Sequence, residues 1–231
     1  MGVDLKRATA QLETLVGDVD PDSRKGRKRT AILNAASELF VTEGYRRTSM
    51  EELAVEVGVA KGTLYLYFPK KIDLLIACIA REKLAWIPRM HTILNGEDKP
   101  AKVRLKEWIV AVLTLPSESP LIAKIMEGEA ELSAAMADMP PELLAAGEGN
   151  NIELLLPMFE EIAGEDHRWS QPELLDRVHA VNTLGLLGPL IRSDWARGGT
   201  SLERIVSILA DLIVDGLRPR RESTPKPRSP S

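Results

Sequence analysis

The chain has 231 residues, of which 44% are hydrophobic, 28% charged and only 4% aromatic. A composition rich in Ala, Leu, Glu and Arg favours helices over pleated sheets, so we expect an all-α fold. The single cysteine, Cys78, excludes an internal disulfide framework and a thiolate-rich zinc site, and no other cofactor is indicated. The N-terminal segment lacks the apolar core of a secretory signal and no apolar run is long enough to cross a bilayer, so we expect a cytoplasmic protein without a membrane partner.

The net charge of -4 conceals an asymmetry. The segment Arg24–Lys71 holds ten Lys and Arg residues against five Glu, which gives +5 and leaves -9 for the rest of the chain. Contact with phosphate groups needs local positive charge and not a basic protein as a whole. The acidic balance therefore does not exclude nucleic-acid binding, and the basic segment is where such binding is expected.

Breaker residues separate an N-terminal extension from a first helix. Residues 1–26 are expected to be a flexible extension with a possible short helix, because leucines recur there at helical spacing before a stretch of Pro, Gly, Ser and charges. From Thr30 the apolar stripe of a first helix runs to Phe40, and Gly44 suits the left-handed stop after it. This helix opens a domain predicted to span residues 27–87.

A helix-turn-helix pattern follows the first helix. Ser49 and Glu52 have the spacing of a capping box and predict a second helix over about Met50–Val57. Gly58 permits a positive backbone dihedral directly after that helix. A short third helix is predicted from Ala60 to Tyr67, so the two helices are joined by a tight turn.

The remainder of the chain is expected to be a helical domain over residues 88–217. A fourth helix starts near Lys71 and is expected to end at Pro88, since proline removes a backbone hydrogen bond. Turn-like stretches then separate apolar periodic segments at about 101–115, 120–137, 150–163, 172–193 and 201–217. Residues 218–231 are rich in Pro, Ser and Arg, and they are expected to be a disordered tail.

The helix-turn-helix segment closely resembles the N-terminal domain of TetR-family transcriptional regulators. The resemblance extends from Ala31–Gly44 through the fourth helix, and it departs from the family pattern at Ser49, Val57 and Ala60. It implies a regulator, usually a repressor, that binds a palindromic double-stranded DNA operator as a homodimer. The matching positions are Leu53-Ala54, Gly58-Val59, Gly62-Thr63-Leu64-Tyr65, Tyr67-Phe68, Lys71 and Leu74.

The third helix is expected to enter the major groove, so its polar residues are the candidate DNA contacts. Lys61 can reach guanine acceptors or a phosphate, and the tyrosine hydroxyls can reach phosphates. The basic run Arg24–Arg29 is either a DNA-binding arm or merely a solvated charge cluster. The predicted DNA-binding residues are Ser49, Lys61, Gly62, Thr63, Tyr65, Tyr67 and Lys71.

The C-terminal domain is expected to dimerise and to enclose a pocket for a small-molecule effector, as the resemblance implies. Large or polar side chains on apolar helices are the candidate pocket residues, although ordinary core packing explains each of them as well. The apolar faces of the last two segments are the expected dimer interface, with Gly185 and Gly188 permitting close approach. The candidate pocket residues are Trp86, Met90, Trp108, Met126, Met158, Phe159, His179 and Asn182.

Two alternatives to an effector-controlled repressor stay open. The first is an enzyme, but the three histidines have no metal-binding spacing, no phosphate-binding glycine loop is present, and Cys78 has no evident base beside it in sequence. The second is a ligand-independent regulator whose C-terminal domain only dimerises or docks a protein partner. The sequence therefore argues against an enzyme and leaves the effector undetermined.

Overall fold

The computed structural model describes residues 5–17, 19–20, 22–96, 98–137, 151–164 and 169–217. These ranges contain α-helices and one 3-10 helix but no strand, so the predicted all-α fold is confirmed. The predicted tail, 218–231, lies outside the described residues. The helices are α1 (Lys6–Val16), α2 (Arg24–Thr42), α3 (Met50–Val57), α4 (Lys61–Tyr67), α5 (Lys71–Leu94), α6 (Ala101–Glu118), α7 (Pro120–Met126), α8 (Ala130–Ala137), α9 (Asn151–Ala163), α10 (Gln171–Asn182), the 3-10 helix Thr183–Leu187, α11 (Gly188–Arg192), α12 (Asp194–Arg197) and α13 (Leu202–Gly216).

Helix α2 begins earlier than the sequence pattern indicates. The apolar stripe starts after Thr30, but the helix starts at Arg24, so the whole basic run Arg24–Arg29 is helical, including the part expected to belong to a flexible extension. Ser23 is the reason, because its hydroxyl oxygen accepts a hydrogen bond from the Gly26 N–H at 2.9 Å and caps the first turn. A good N-cap thus extends the helix beyond its buried face.

The helix-turn-helix forms as its local signals predict. Ser49 Oγ accepts from the Glu52 N–H and Glu52 Oε2 accepts from the Ser49 N–H, each at 3.1 Å, which completes the capping box of α3. Gly58 ends α3 with a φ of 69°, a left-handed conformation that favours glycine. The Val59 N–H then donates to the Ala54 carbonyl at 2.9 Å and closes the turn into α4.

Helix α5 passes through Pro88 and ends at Leu94, so the predicted end at Pro88 is wrong. Proline removes the hydrogen bond of one turn, but Trp86 before it and Ile93 after it are both buried in the same core. The apolar contacts on both sides of Pro88 therefore keep the helix continuous.

Two hydrophobic cores lie along α5. The head core packs α2, α3, α4 and the first half of α5 together, and it also includes residues of α7 and α8 such as Leu121 and Leu132. The C-terminal core packs the second half of α5 with α6, α9, α10 and α13. Helix α1 lies along α5, and it spans both cores because Leu5, the residue just before it, lies in the C-terminal core and Leu15 packs against the head core.

No single helix of the described ranges is long and apolar enough to cross a membrane. Only one pair of helical segments is long and apolar enough when taken together, namely Ala101–Leu115 and Pro120–Met126 in the described ranges. The chain bends by 87° between these two segments.

Candidate nucleic-acid interface

The outward face of α4 is defined by the residues opposite its buried anchor. Leu64 is fully buried in the head core, whereas Leu66 is 86% exposed. At the 100° helical step, Gly62 and Leu66 lie opposite Leu64 and one turn apart. A Cβ added to Gly62 would meet no atom within 4 Å, so nothing inside the described protein requires glycine there. This face is open to a close approach from outside.

Lys61, the first residue of α4, forms an ion pair with Glu51 of α3. Both side chains are more than half exposed, and the Lys61 ammonium also lies 5.9 Å from the centre of the Tyr65 ring. The hydrogen bond from Lys61 lowers the pKa of Glu51, and the same bond raises the pKa of Lys61. Lys61 thus stands where a DNA contact is predicted, but it already has an anionic partner on the neighbouring helix.

The other predicted contacts on α4 differ in exposure. Tyr65 is exposed, while Thr63 and Tyr67 are half-buried. Tyr67 packs against the head core, so only part of its ring surface is free for a ligand. Ser49 is half-buried, and its oxygen caps α3. The hydroxyl proton of Ser49 remains available to a phosphate, because capping uses Ser49 Oγ as an acceptor.

Lys71 has a structural role that the sequence did not indicate. Its Nζ donates to the carbonyls of Tyr45 at 2.8 Å, Thr48 at 3.0 Å and Arg46 at 3.3 Å, and it lies 4.4 Å from the centre of the Tyr45 ring. Desolvation lowers the pKa of Lys71. Because an ammonium has three N–H groups and three carbonyls surround it, this conformation leaves none directed at a phosphate. The predicted phosphate contact of Lys71 therefore remains a prediction that this geometry does not favour.

The basic run at the start of α2 has two parts. Arg24, Lys25 and Arg27 are exposed, whereas Arg29 is half-buried. The Arg29 guanidinium lies 4.2 Å from the centre of the Phe68 ring and donates to the carbonyl oxygens of Val16 and Tyr67. Arg29 thus joins the end of α1 to the end of α4, a role that no local sequence signal indicates.

The predicted pocket residues are divided between several places. Trp86, Trp108, Met158 and Phe159 are buried together in the C-terminal core, with Met90 packed against it. The other three lie elsewhere: Met126 packs against the head core, His179 is exposed and Asn182 is half-buried. The structure thus brings five of the eight candidates together as core residues, and their binding of an effector stays a prediction.

A groove of about 680 Å³ lies between the end of α5 and the start of α6, and none of the eight candidates lines it. Ile93, Val103 and Val110 give it apolar walls, and Arg89, Lys99 and Lys106 are basic residues in its lining. Each of these cations is paired with a carboxylate, at 3.1, 2.6 and 2.6 Å respectively. The remaining lining residues are Thr92 and Glu107.

The predicted dimer face is largely buried within the chain. Val178 and Val206 lie in the C-terminal core, and a Cβ added to Gly185 would meet the Val112 side chain of α6 at 3.0 Å. The predicted close approach at Gly185 is therefore made within the chain. A different set of large apolar residues stays exposed on the late helices: Leu186, Leu187, Leu190, Trp195, Ile208 and Leu212.

The arrangement of α2, α3 and α4 defines a helix-turn-helix protein with an exposed second helix. A family model described as "Bacterial regulatory proteins, tetR family" matches residues 32–78. Residues 32–78 are thus similar to the TetR family in the same segment as the motif predicts.

Known proteins resemble the head in sequence and most of the chain in fold. The fatty acid metabolism regulator protein of Bacillus subtilis (strain 168) is 34% identical over 91 residues, which are 39% of this chain and 44% of that protein. The alignments span about half the length of the curated relatives.

Two solved structures superpose over most of the chain. The transcriptional regulator FadR from Bacillus subtilis in complex with stearoyl-CoA covers 82% of this chain and 99% of its own, with a TM-score of 0.61 and 21% identity. AibR in complex with isovaleryl coenzyme A and operator DNA covers 83% of this chain and 98% of its own, with a TM-score of 0.57 and 20% identity. At these identities the likeness establishes the fold.

Proposed function

We propose that the protein is a sequence-specific transcriptional regulator that represses transcription from a palindromic operator. The observation that carries this proposal is the outward face of α4, where Gly62 has open space around it and Lys61 and Tyr65 are exposed. Core packing explains none of these three residues, whereas a helix that enters the major groove needs donors and a close backbone approach. The match of residues 32–78 to the tetR family model supports the same function.

The test is the salt-dependent binding of DNA from upstream of the protein's own gene, measured by fluorescence anisotropy. Lys61→Ala is expected to weaken binding and to reduce the salt slope by about one per head. Lys102→Ala is the matched control, because Lys102 is exposed on α6 of the C-terminal domain. The site assignment fails if both variants bind as the wild type does.

The dimer is proposed to form through the exposed apolar residues of the late helices. Ile208 and Leu212 lie one turn apart on α13, and Leu190 is exposed on α11, which packs against α13. Such a set of apolar side chains is the composition of a homodimer interface. Leu212→Glu is expected to give monomers in sedimentation velocity with the helix content unchanged. A dimer that persists in this variant would contradict the proposed interface.

We infer that the effector is an acyl thioester of coenzyme A, on two supports. The two superposed structures contain stearoyl-CoA and isovaleryl coenzyme A. The groove between α5 and α6 combines apolar walls with Arg89, Lys99 and Lys106, a pattern that suits an acyl chain with a phosphate-rich head. A polyanion would have to compete with the carboxylates that pair with these cations.

The effector is tested by release of a labelled operator on addition of acyl-CoA of increasing chain length, with free coenzyme A and free fatty acids as controls. Release by the thioester alone, together with a rise in the melting temperature, supports the inference. If no thioester changes either quantity while the protein binds DNA as a dimer, the ligand-independent regulator is the correct alternative.

A further inference from the structure

Leu66 is the most exposed large apolar side chain described, at 86%, and it lies on the face of α4 that is proposed to meet DNA. Single exposed leucines are common on protein surfaces, so exposure alone has no functional meaning. The position of Leu66 is what distinguishes it. One turn earlier on the same face is Gly62, whose missing side chain leaves the helix open to close approach.

The chemistry around Leu66 differs from that of its neighbours. Lys61 and Tyr65 offer hydrogen-bond donors, and Thr63 offers a hydroxyl, whereas Leu66 offers only carbon. In the major groove, the apolar group on a base edge is the C5 methyl of thymine. A leucine in this position can bury that methyl but cannot bond the donors or acceptors of any base.

We propose that Leu66 is a specificity-determining residue that recognises a thymine C5 methyl in each half-site of the operator. This inference rests on the proposed function, since it requires α4 to enter the major groove. The short helix presents Gly62 and Leu66 together, so the close approach allowed at Gly62 brings the Leu66 side chain to the base edges. Its exposure in the free protein is then removed on binding, when the methyl and the leucine exclude water from each other.

The experiment first locates the bound site by footprinting with the wild-type protein. Each thymine in the site is then replaced by deoxyuridine, which keeps every hydrogen-bonding group and removes only the methyl. At the thymine that Leu66 contacts, the wild type is expected to bind about fourfold more weakly per half-site, the effect of one buried methyl group. Replacement in both half-sites is expected to weaken the dimer about sixteenfold.

Three variants assign the effect to a side chain. Leu66→Ala is expected to bind thymine and deoxyuridine operators equally at that position. Val55→Ala is the matched control, because Val55 is 81% exposed on the neighbouring α3 and its truncation is expected to leave the wild-type difference intact. Leu64 is buried, so Thr63 carries the other accessible methyl group on this helix; Thr63→Ser removes it and is also expected to leave the difference at that position unchanged. Melting temperatures check that all three variants fold.

The outcomes are distinguishable. If deoxyuridine has no effect at any position, or if Leu66→Ala keeps the full difference, the inference is overturned while DNA binding stands. If Thr63→Ser instead abolishes the difference, the methyl is recognised by Thr63 and the assignment to Leu66 is wrong. If the wild type protects no specific site, the proposed function itself fails, and the inference fails with it.

Discussion

The ion pair between Glu51 and Lys61 makes a quantitative prediction about DNA affinity. In the free protein the Lys61 ammonium is held by a carboxylate of the adjacent helix, and both groups are exposed. A DNA phosphate or guanine has to replace Glu51 before Lys61 contributes to binding. Glu51→Gln removes this competitor and one negative charge from each head, so we expect tighter operator binding.

The magnitude follows from the contacts that Lys61 exchanges on binding. Lys61 neutralises one phosphate per head in both proteins, so the slope of log Kobs against log salt, about -0.9 per phosphate, is expected to be the same for Glu51→Gln and the wild type. The gain in affinity comes from the exposed ion pair that no longer has to be broken, and it is expected to be about two- to fivefold per head. The affinity ratio of Glu51→Gln to the wild type is therefore expected to stay nearly constant between about 50 and 200 mM salt.

The assay is a salt series of anisotropy titrations with a labelled operator duplex. Glu56→Gln is the matched control, because it makes the same charge change on the same exposed helix, while Lys61 pairs with Glu51. A general loss of negative charge affects both variants, whereas release of Lys61 affects only Glu51→Gln. Equal affinities for the two variants would refute competition by the ion pair.

Three further predictions concern single residues. Gly62→Ala is expected to leave the melting temperature unchanged or higher, since alanine favours helix, but to weaken operator binding in a parallel titration. Lys71→Met is expected to lower the free energy of unfolding in urea by about 1–3 kcal/mol, because three carbonyls lose a charged donor. Lys70→Met, at an exposed position, is not expected to lower the free energy of unfolding. Burial raises the pKa of Cys78 from 9.0 to about 11, so its thiol should resist a thiol reagent at pH 8 until the protein unfolds. Because the unfolded thiol ionises first, this group's contribution to stability should fall as pH rises from about 9 to about 11, a trend absent in Cys78→Ala.

Sequence alone predicted the helix-turn-helix because its signals are local. The capping box of Ser49 and Glu52 and the left-handed turn at Gly58 involve residues at most a few positions apart. The role of Arg29 was not predictable in this way, since its partners Val16 and Tyr67 are 13 and 38 residues distant along the chain. A periodic pattern indicates whether a residue is buried or exposed, but it does not indicate which distant group the residue contacts.

The same limit applies to the predicted dimer face. Apolar periodicity on the last helices predicts a buried stripe, but it does not distinguish burial within the chain from burial against a second copy. Val206 faces the chain's own core, whereas Ile208 and Leu212 on the same helix stay exposed. The apolar surface of α13 therefore faces the chain's own core on one side and the outside of the chain on the other. The two sides can be told apart only in the folded structure.

Contacts between α5, α7, α8 and the head suggest how an effector would act at a distance. Glu82 of α5 accepts hydrogen bonds from the N–H groups of Leu121 and Ile122 in α7, both at 3.1 Å. Glu131 of α8 accepts from the Arg46 N–H at 3.0 Å, in the loop just before α3. An effector shifts DNA affinity only as far as it binds the two head arrangements differently. Because α7 and α8 contact the head core directly, a shift of these helices reaches α3 through Glu131 as well as through α5. Removing the hydrogen bond between Glu131 and the Arg46 N–H should therefore weaken the release of DNA by the effector more than it weakens operator affinity.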